Sequence, residues 1–270
     1  MDIRRFRAKA SATRLEHAAR PVVALTDEYP AGFVDPRHAH TRAQLLYASA
    51  GVMQVITDGG SYLIPPQRAV WLPGGTEHEV LCRGPVSLRT LYFDPATLSR
   101  LPPRCCVIEV SELLRALVLE VTKFELEYDM AGREGRIVRL ILDEIASSPG
   151  APLHVPVPSD PRLARICREI LADPSRVGDL DDWARAAGMG RRTLTRLFRS
   201  ETGMSFAAWR QQVRLLEALT LLSIGRPVTT VAYEVGYDSP SAFTAIFHRA
   251  FGAAPTQYFR KPRSTGADDA

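Results

Sequence analysis

The sequence predicts an α+β protein of two domains. A small N-terminal β-barrel followed by helices precedes an all-α C-terminal domain with two helix–turn–helix units. Three observations carry this. First, short segments rich in Val, Leu, Ile and Tyr run from Pro21 to Phe93, with Gly, Pro and Asp between them. A turn signal roughly every ten residues is the pattern of a small barrel or sandwich. Second, the apolar spacing becomes helical from Ser111. Third, LDDWARAAGMGRRTLTRLFRSETG (Leu180–Gly203) returns as VTTVAYEVGYDSPSAFTAIFHRAFG (Val228–Gly252). Gly188 matches Gly236 at an offset of 48, whereas Phe198 matches Phe247 and Gly203 matches Gly252 at 49, so one residue is inserted between the turns. Such a repeat lets one chain put two helices on one DNA site.

Composition fits this frame. The 270 residues have room for about two domains, and a hydrophobic fraction of 46% suits globular cores. No apolar run reaches the roughly 18 residues that span a bilayer, and MDIRRFRAKASATRL lacks the apolar block of a secretory signal. The expected location is the cytoplasm, with no membrane partner. Residues 1–159 carry 18 basic and 18 acidic side chains; residues 160–270 carry 16 and 12, and so hold the whole net charge of +4. The basic excess falls on the repeat, where phosphate contacts need it. Cys82, Cys105, Cys106 and Cys167 form no CxxC pair and read as reduced thiols, a redox-sensing pair being the alternative.

Residues 1–20 are polar and expected to be poorly ordered. Residues 21–110 form the barrel domain, with QLLYAS, GVMQVIT, GSYLI, RAVWLP, HEVLC and VSLRTLYF as strands. Ser111 caps a helix bearing Leu113, Leu114, Leu117, Val118, Val121, Phe124 and Leu126. A second, from Glu134 to Ala146, carries Ile137, Val138, Ile141, Leu142 and Ile145. These helices (111–146) either pack on the barrel or make a homodimer. Residues 147–159 form a proline-rich linker, extended and unlikely to fold alone. Residues 160–263 form the helical domain, opened by Asp160 as N-cap and Pro161 at the first position; 264–270 are a flexible tail.

In the first unit, Leu180, Trp183, Ala184 and Ala187 keep helical spacing up to Gly188. The next helix starts near Arg191, with Leu194, Leu197 and Phe198 inward and Arg192, Thr195, Arg196 and Arg199 outward; Arg191, and Ser239 and Arg249 in the second unit, are expected DNA contacts with the outward residues. In the second unit, Ser239 caps a helix with Phe243, Ile246, Phe247 and Ala250 inward. Ser241, Thr244, Ala245 and His248 face outward, beside Arg249. Arginine contacts guanine bidentately or holds a phosphate, and threonine meets a base edge or methyl. The basic first face is expected to supply more base discrimination than the second; a solvated surface is the competing reading. Ser205 caps a connecting helix to about Leu222, with Phe206, Trp209, Val213, Leu216 and Leu219 inward.

Residues 160–262 resemble the DNA-binding domain of AraC/XylS-type bacterial transcription regulators. Ala232, Gly236, Tyr237, Ser241, Phe243, Phe247, Gly252, Pro255 and Tyr258 stand where that pattern expects them. The resemblance implies sequence-specific binding to double-stranded promoter DNA and contact with RNA polymerase. In the barrel, Gly32-x5-His38-x-His40-x3-Gln44-x6-Gly51 and Pro73-x-Gly75-x2-His78 resemble the two cupin motifs. This implies a cupin-like sensor domain, its effector-binding residues being His38, His40, Gln44, Trp71 and His78, with Tyr47, Met53 and Tyr62 as further lining. His38 and His40, two apart on one strand, share a face. With His78 they make a candidate three-nitrogen site for a divalent metal. Gln44 replaces the usual ligand glutamate, Gln67 the glycine that opens the second motif, and Cys82 its closing asparagine. The alternative is an organic-ligand pocket in which these side chains are polar contacts.

The leading expectation is therefore a transcription regulator, not an enzyme, controlled by a small molecule or metal in the barrel. A DNA-tethered three-histidine cupin oxygenase and an effector-independent architectural protein are the competing classes.

Overall fold

The barrel strands pair into two facing antiparallel sheets in the computed structural model, which describes residues 18–148, 150–151 and 153–258. The first sheet runs β1 (Val22–Tyr29), β8 (Val86–Phe93), β3 (Ala43–Ala50), β6 (Arg68–Leu72), β9 (Cys106–Glu109), β10 (Gly150–Ala151). The second runs β11 (His154–Pro156), β5 (Gly60–Ile64), β4 (Met53–Thr57), β7 (His78–Cys82), β2 (Phe33–His38). Met53, Val55, Ile64, Val70, Leu72, Val80 and Leu88 fill the space between them.

Two helices, α1 (Glu112–Val121) and α2 (Arg133–Ser147), cover the outer face of the first sheet. Ser111 caps α1 by accepting from Leu114 N. Leu114, Leu117, Val118, Val138, Ile141 and Ile145 pack on Leu45, Tyr47, Trp71, Leu91 and Phe93. This corrects the expectation for Trp71 and Tyr47. Leu45 pairs with Trp71 and Tyr47 with Ala69, so all four face the helices, away from the interior. Trp71 donates its indole N–H to Pro102 O at 2.7 Å and meets Phe93 edge-on at 5.1 Å. Met53 and Tyr62, by contrast, do face the interior.

The proline-rich segment is also corrected. It is extended, but β10 pairs with β9 and β11 with β5, so it is stitched into both sheets. At the other end, residues 1–17 and the expected tail 264–270 lie outside the described residues. Residues 18–20 are tied down: Arg42 donates to the carbonyls of Ala18 and Arg20, and Arg20 Nε donates to Tyr128 O at 2.7 Å.

Gln67 has φ +73°, left-handed for a residue with a Cβ. It is the third residue of a turn closed by Arg68 N on Pro65 O at 3.1 Å, where a type II geometry favours glycine. The cupin resemblance also puts glycine here. Gln67→Gly is expected to raise stability by up to about 1 kcal/mol, relieved strain exceeding the added chain entropy. Urea unfolding checks this, and an unchanged or lower midpoint would refute it.

In the C-terminal half, α3 (Pro161–Ala172) opens on the Asp160 cap. The first unit comprises α4 (Leu180–Ala186) and α5 (Arg191–Thr202); α6 (Phe206–Ser223) leads to the second, α7 (Val228–Glu234) and α8 (Pro240–Phe251), and α9 (Pro255–Tyr258) follows. The turns match: Gly188 and Gly236 are left-handed, and Met189 N on Ala184 O mirrors Tyr237 N on Ala232 O. α7 begins 48 residues after α4, and α8 49 after α5, which puts the inserted residue in the turn. Phe243 and Phe247 are buried as expected, but Ala250 is exposed.

The halves share a continuous apolar core running from the sheets through Leu63 and Val155 to Val213, Leu216 and Trp209. Polar contacts cross the same junction. Trp209 donates its indole N–H to Pro156 O at 2.7 Å. Arg83 pairs with Glu217. Glu201 accepts from Ser159 N at 2.6 Å and Asp160 N at 3.0 Å.

Candidate effector site and nucleic-acid interface

The strands bring His38, His40 and His78 to one end of the barrel. One ligand nitrogen from each lies within 4.8 Å of the others. His38 ends β2 and His78 opens β7, the two paired across the sheet. His40 lies beyond β2, which corrects the expectation of two histidines on one strand: here the chain crosses between sheets. Its carbonyl accepts from Gly75 N at 2.8 Å, which fixes the crossing beside the β6–β7 loop.

Each ring is oriented by a backbone carbonyl two residues away. His38 Nδ1 lies 2.8 Å from Pro36 O, His40 Nδ1 2.6 Å from Arg42 O, and His78 Nδ1 2.9 Å from Thr76 O. A carbonyl can only accept, so Nδ1 of His38 and of His78 carries the proton and Nε2 is left as the ligand nitrogen, whereas His40 faces an oxygen acceptor at both ring nitrogens, Arg42 O and Gln44 Oε1. His78 Nε2 is buried with no hydrogen-bond partner, and burial lowers the imidazole pKa to about 4. At neutral pH His78 is uncharged, the form a metal ion requires.

Gln44 lies beneath the histidines with its amide fully engaged. Its oxygen is 3.0 Å from His40 Nε2, and its nitrogen donates to Thr90 Oγ1 and Tyr92 Oη, both at 3.1 Å. A ligand at the three rings exchanges only the His40 contact. Asp35 was not among the expected residues, yet its Oδ2 lies 3.9 Å from His38 Nε2. The signal for it was Pro36, since proline within a strand marks an edge or a bulge. Cys82 packs inside against Phe33 and Met53, and burial pushes its thiol up to about 12.

Arg191, Arg192, Thr195, Arg196, Arg199 and Ser200 share one open outer surface of α5, while Leu194 and Phe198 are buried. Arg191 is ion-paired to Asp181 at 3.2 Å, and the Thr195 hydroxyl donates to Arg191 O at 2.9 Å. Around α8, Ser241, Thr244, Ala245 and His248 line a second such surface with Val228, Thr229 and Pro240. Ser239 caps α8 by accepting from Ala242 N, and Arg249 is exposed beside this surface.

A two-sheet barrel with an internal polar site, joined to a helix–turn–helix repeat, defines a transcriptional regulator with a ligand-binding domain. The chain belongs to the AraC/XylS family: residues 20–123 match the AraC-like ligand binding domain and residues 183–261 a helix-turn-helix domain. It is 34% identical over 236 residues to the HTH-type transcriptional regulator NimR of Escherichia coli, covering 87% of this chain and 85% of NimR. The arabinose operon regulatory protein of Escherichia coli is 34% identical over 110 residues, 39% of this chain and 36% of that protein. Among solved structures, ToxT from Vibrio cholerae is similar with a TM-score of 0.38 and 14% identity, over 88% of this chain and 98% of that one. Among the described residues, no helix is long and apolar enough to cross a membrane.

Proposed function

We propose that this regulator binds promoter DNA through the outward faces of α5 and α8, under the control of a divalent transition metal held by His38, His40 and His78. The buried, unpartnered Nε2 of His78 carries the metal reading. Leaving such a nitrogen unsatisfied costs free energy, which coordination recovers. An organic ligand could instead bond the same nitrogen, and that is the outcome the test separates. Metal acts on DNA binding only if it favours one arrangement of the two halves over another. The continuous core from barrel to α6 is the route by which such a preference is felt.

Cytoplasmic location, contact with RNA polymerase and a homodimer complete the proposal. Leu113 on α1 and Leu140 on α2, 47% and 40% exposed, are the side chains the dimer would cover.

The test is elemental analysis of protein purified without an affinity tag or chelator. The expected result is about one metal ion per chain, lost in His40→Ala, with metal raising the melting temperature of the wild type alone. A folded wild type that carries no metal and takes up none on addition would overturn the metal and direct the search to organic effectors.

A further inference from the structure

We propose that Asp35 supplies a carboxylate ligand to this metal site, replacing the charge that Gln44 lacks. The inference rests on the metal reading and adds a residue outside both motifs.

The strand geometry points to Asp35. In a regular strand, residues three apart face opposite sides. On β2, however, Asp35 pairs with Val80 and His38 with His78, so three steps on one strand match two on its neighbour. Val80 and His78 both face the interior, as their burial shows. The register shift between Asp35 and His38 is therefore a bulge that turns the carboxylate and the imidazole to one face. Pro36 lies within it, where the ladder needs no N–H, and its carbonyl orients His38. The same irregularity thus fixes the imidazole and brings the carboxylate up to it.

The separation from His38 is close to that of two ligands on one ion, although the cluster within 4.8 Å holds the three rings alone and the Asp35 carboxylate has to swing toward it. Two ligands each about 2.1 Å from one metal at a tetrahedral angle lie about 3.4 Å apart. Asp35 Oδ2 and His38 Nε2 are 3.9 Å apart, too far for a hydrogen bond and within a side-chain adjustment of that spacing. Charge favours the same assignment. Three neutral imidazoles leave a divalent ion with its full charge, and Gln44, held by Thr90 and Tyr92, adds none. Of the other acidic groups near His38 and His78, Glu77 and Asp58 pair with Arg37, and Glu79 alternates to the face of β7 opposite His78.

The test titrates zinc into metal-stripped, full-length wild type, Asp35→Asn, Asp35→Glu and His78→Gln, against a chromophoric chelator. Visible spectra of the cobalt(II)-loaded proteins report coordination. Asp35 is partly exposed, so circular dichroism should show an unchanged fold. Asp35→Asn is expected to lower zinc affinity at least about tenfold and alter the cobalt spectrum, with Asp35→Glu restoring part of both. Wild-type affinity and spectrum in Asp35→Asn, with binding lost in His78→Gln, would overturn the carboxylate and leave the three-histidine site standing. Absence of zinc binding to the wild type would overturn the metal reading, and this inference with it.

Discussion

Replacing Arg192 and Arg196 together by alanine is expected to weaken promoter binding by about 10²–10⁴-fold at fixed salt. The magnitude follows from two contacts of roughly 1–3 kcal/mol each if both arginines reach base edges. Both are exposed on α5, on the surface shared with Thr195 and Arg199, so the fold should survive. Arg191 is the internal control: its ion pair with Asp181 ties it to α4, and its loss should cost less. Salt dependence separates the two ways an arginine can act. A phosphate contact lowers the salt slope by about one and weakens all sequences alike; a base contact relaxes preference at one position. Titration with a promoter fragment and a scrambled duplex reads both. Wild-type affinity of the double variant for the promoter would remove this surface from the DNA-reading role. Thr195 donates its hydroxyl to its own helix, leaving its methyl as the group suited to a thymine methyl.

The parts of this fold legible in the sequence are those set by local rules. Ser111, Asp160, Ser205 and Ser239 all cap the helices they precede, because a cap is fixed by residues two or three apart. The matched glycines worked for the same reason: a left-handed residue is required wherever each turn occurs. What remained hidden depends on distant partners. β11 pairs with β5 some ninety residues earlier, and nothing within a proline-rich segment names that partner. Trp71 and Tyr47 were assigned to the wrong face because β3 and β6 are almost wholly buried on both sides. A strand covered on both faces has no polar alternation from which to read direction. Asp35 was missed because its position depends on a bulge, which slips the alternation by one residue. The three histidines were found because motif spacing survives such irregularity, although His40 arrives from a connection and not from the strand.

Trp209→Ala is expected to destabilise the protein by about 3–5 kcal/mol, the cost of removing a fully buried aromatic side chain and leaving a cavity. The indole does three things at once. It meets Phe198 of α5 edge-on at 5.7 Å, stacks on Phe206 at 6.4 Å, and gives its N–H to Pro156 O at 2.7 Å. The first contact seats the recognition helix of the first unit on α6, and the second lies within α6. The third ties α6 to β11, and β11 is hydrogen-bonded to β5, where Tyr62 stacks on His154 at 4.4 Å. β5 pairs in turn with β4, where Val55 stands opposite Tyr62, and Thr57 of β4 pairs across the sheet with His78. The residue that anchors the first DNA-reading helix is thus linked by contiguous contacts to the candidate effector site. Trp209→Phe keeps most of the ring contact and loses the hydrogen bond, so it should cost only about 1 kcal/mol. If β11 couples the halves, Trp209→Phe should also reduce the effect of metal on promoter affinity while leaving metal affinity itself unchanged. Urea unfolding, with amide exchange resolved for α5 and for β3, distinguishes local from global loss. A Trp209→Ala protein as stable as the wild type would show that the core yields at this point. A Trp209→Phe protein with undiminished coupling would assign communication to the Arg83–Glu217 pair and the apolar contacts around it.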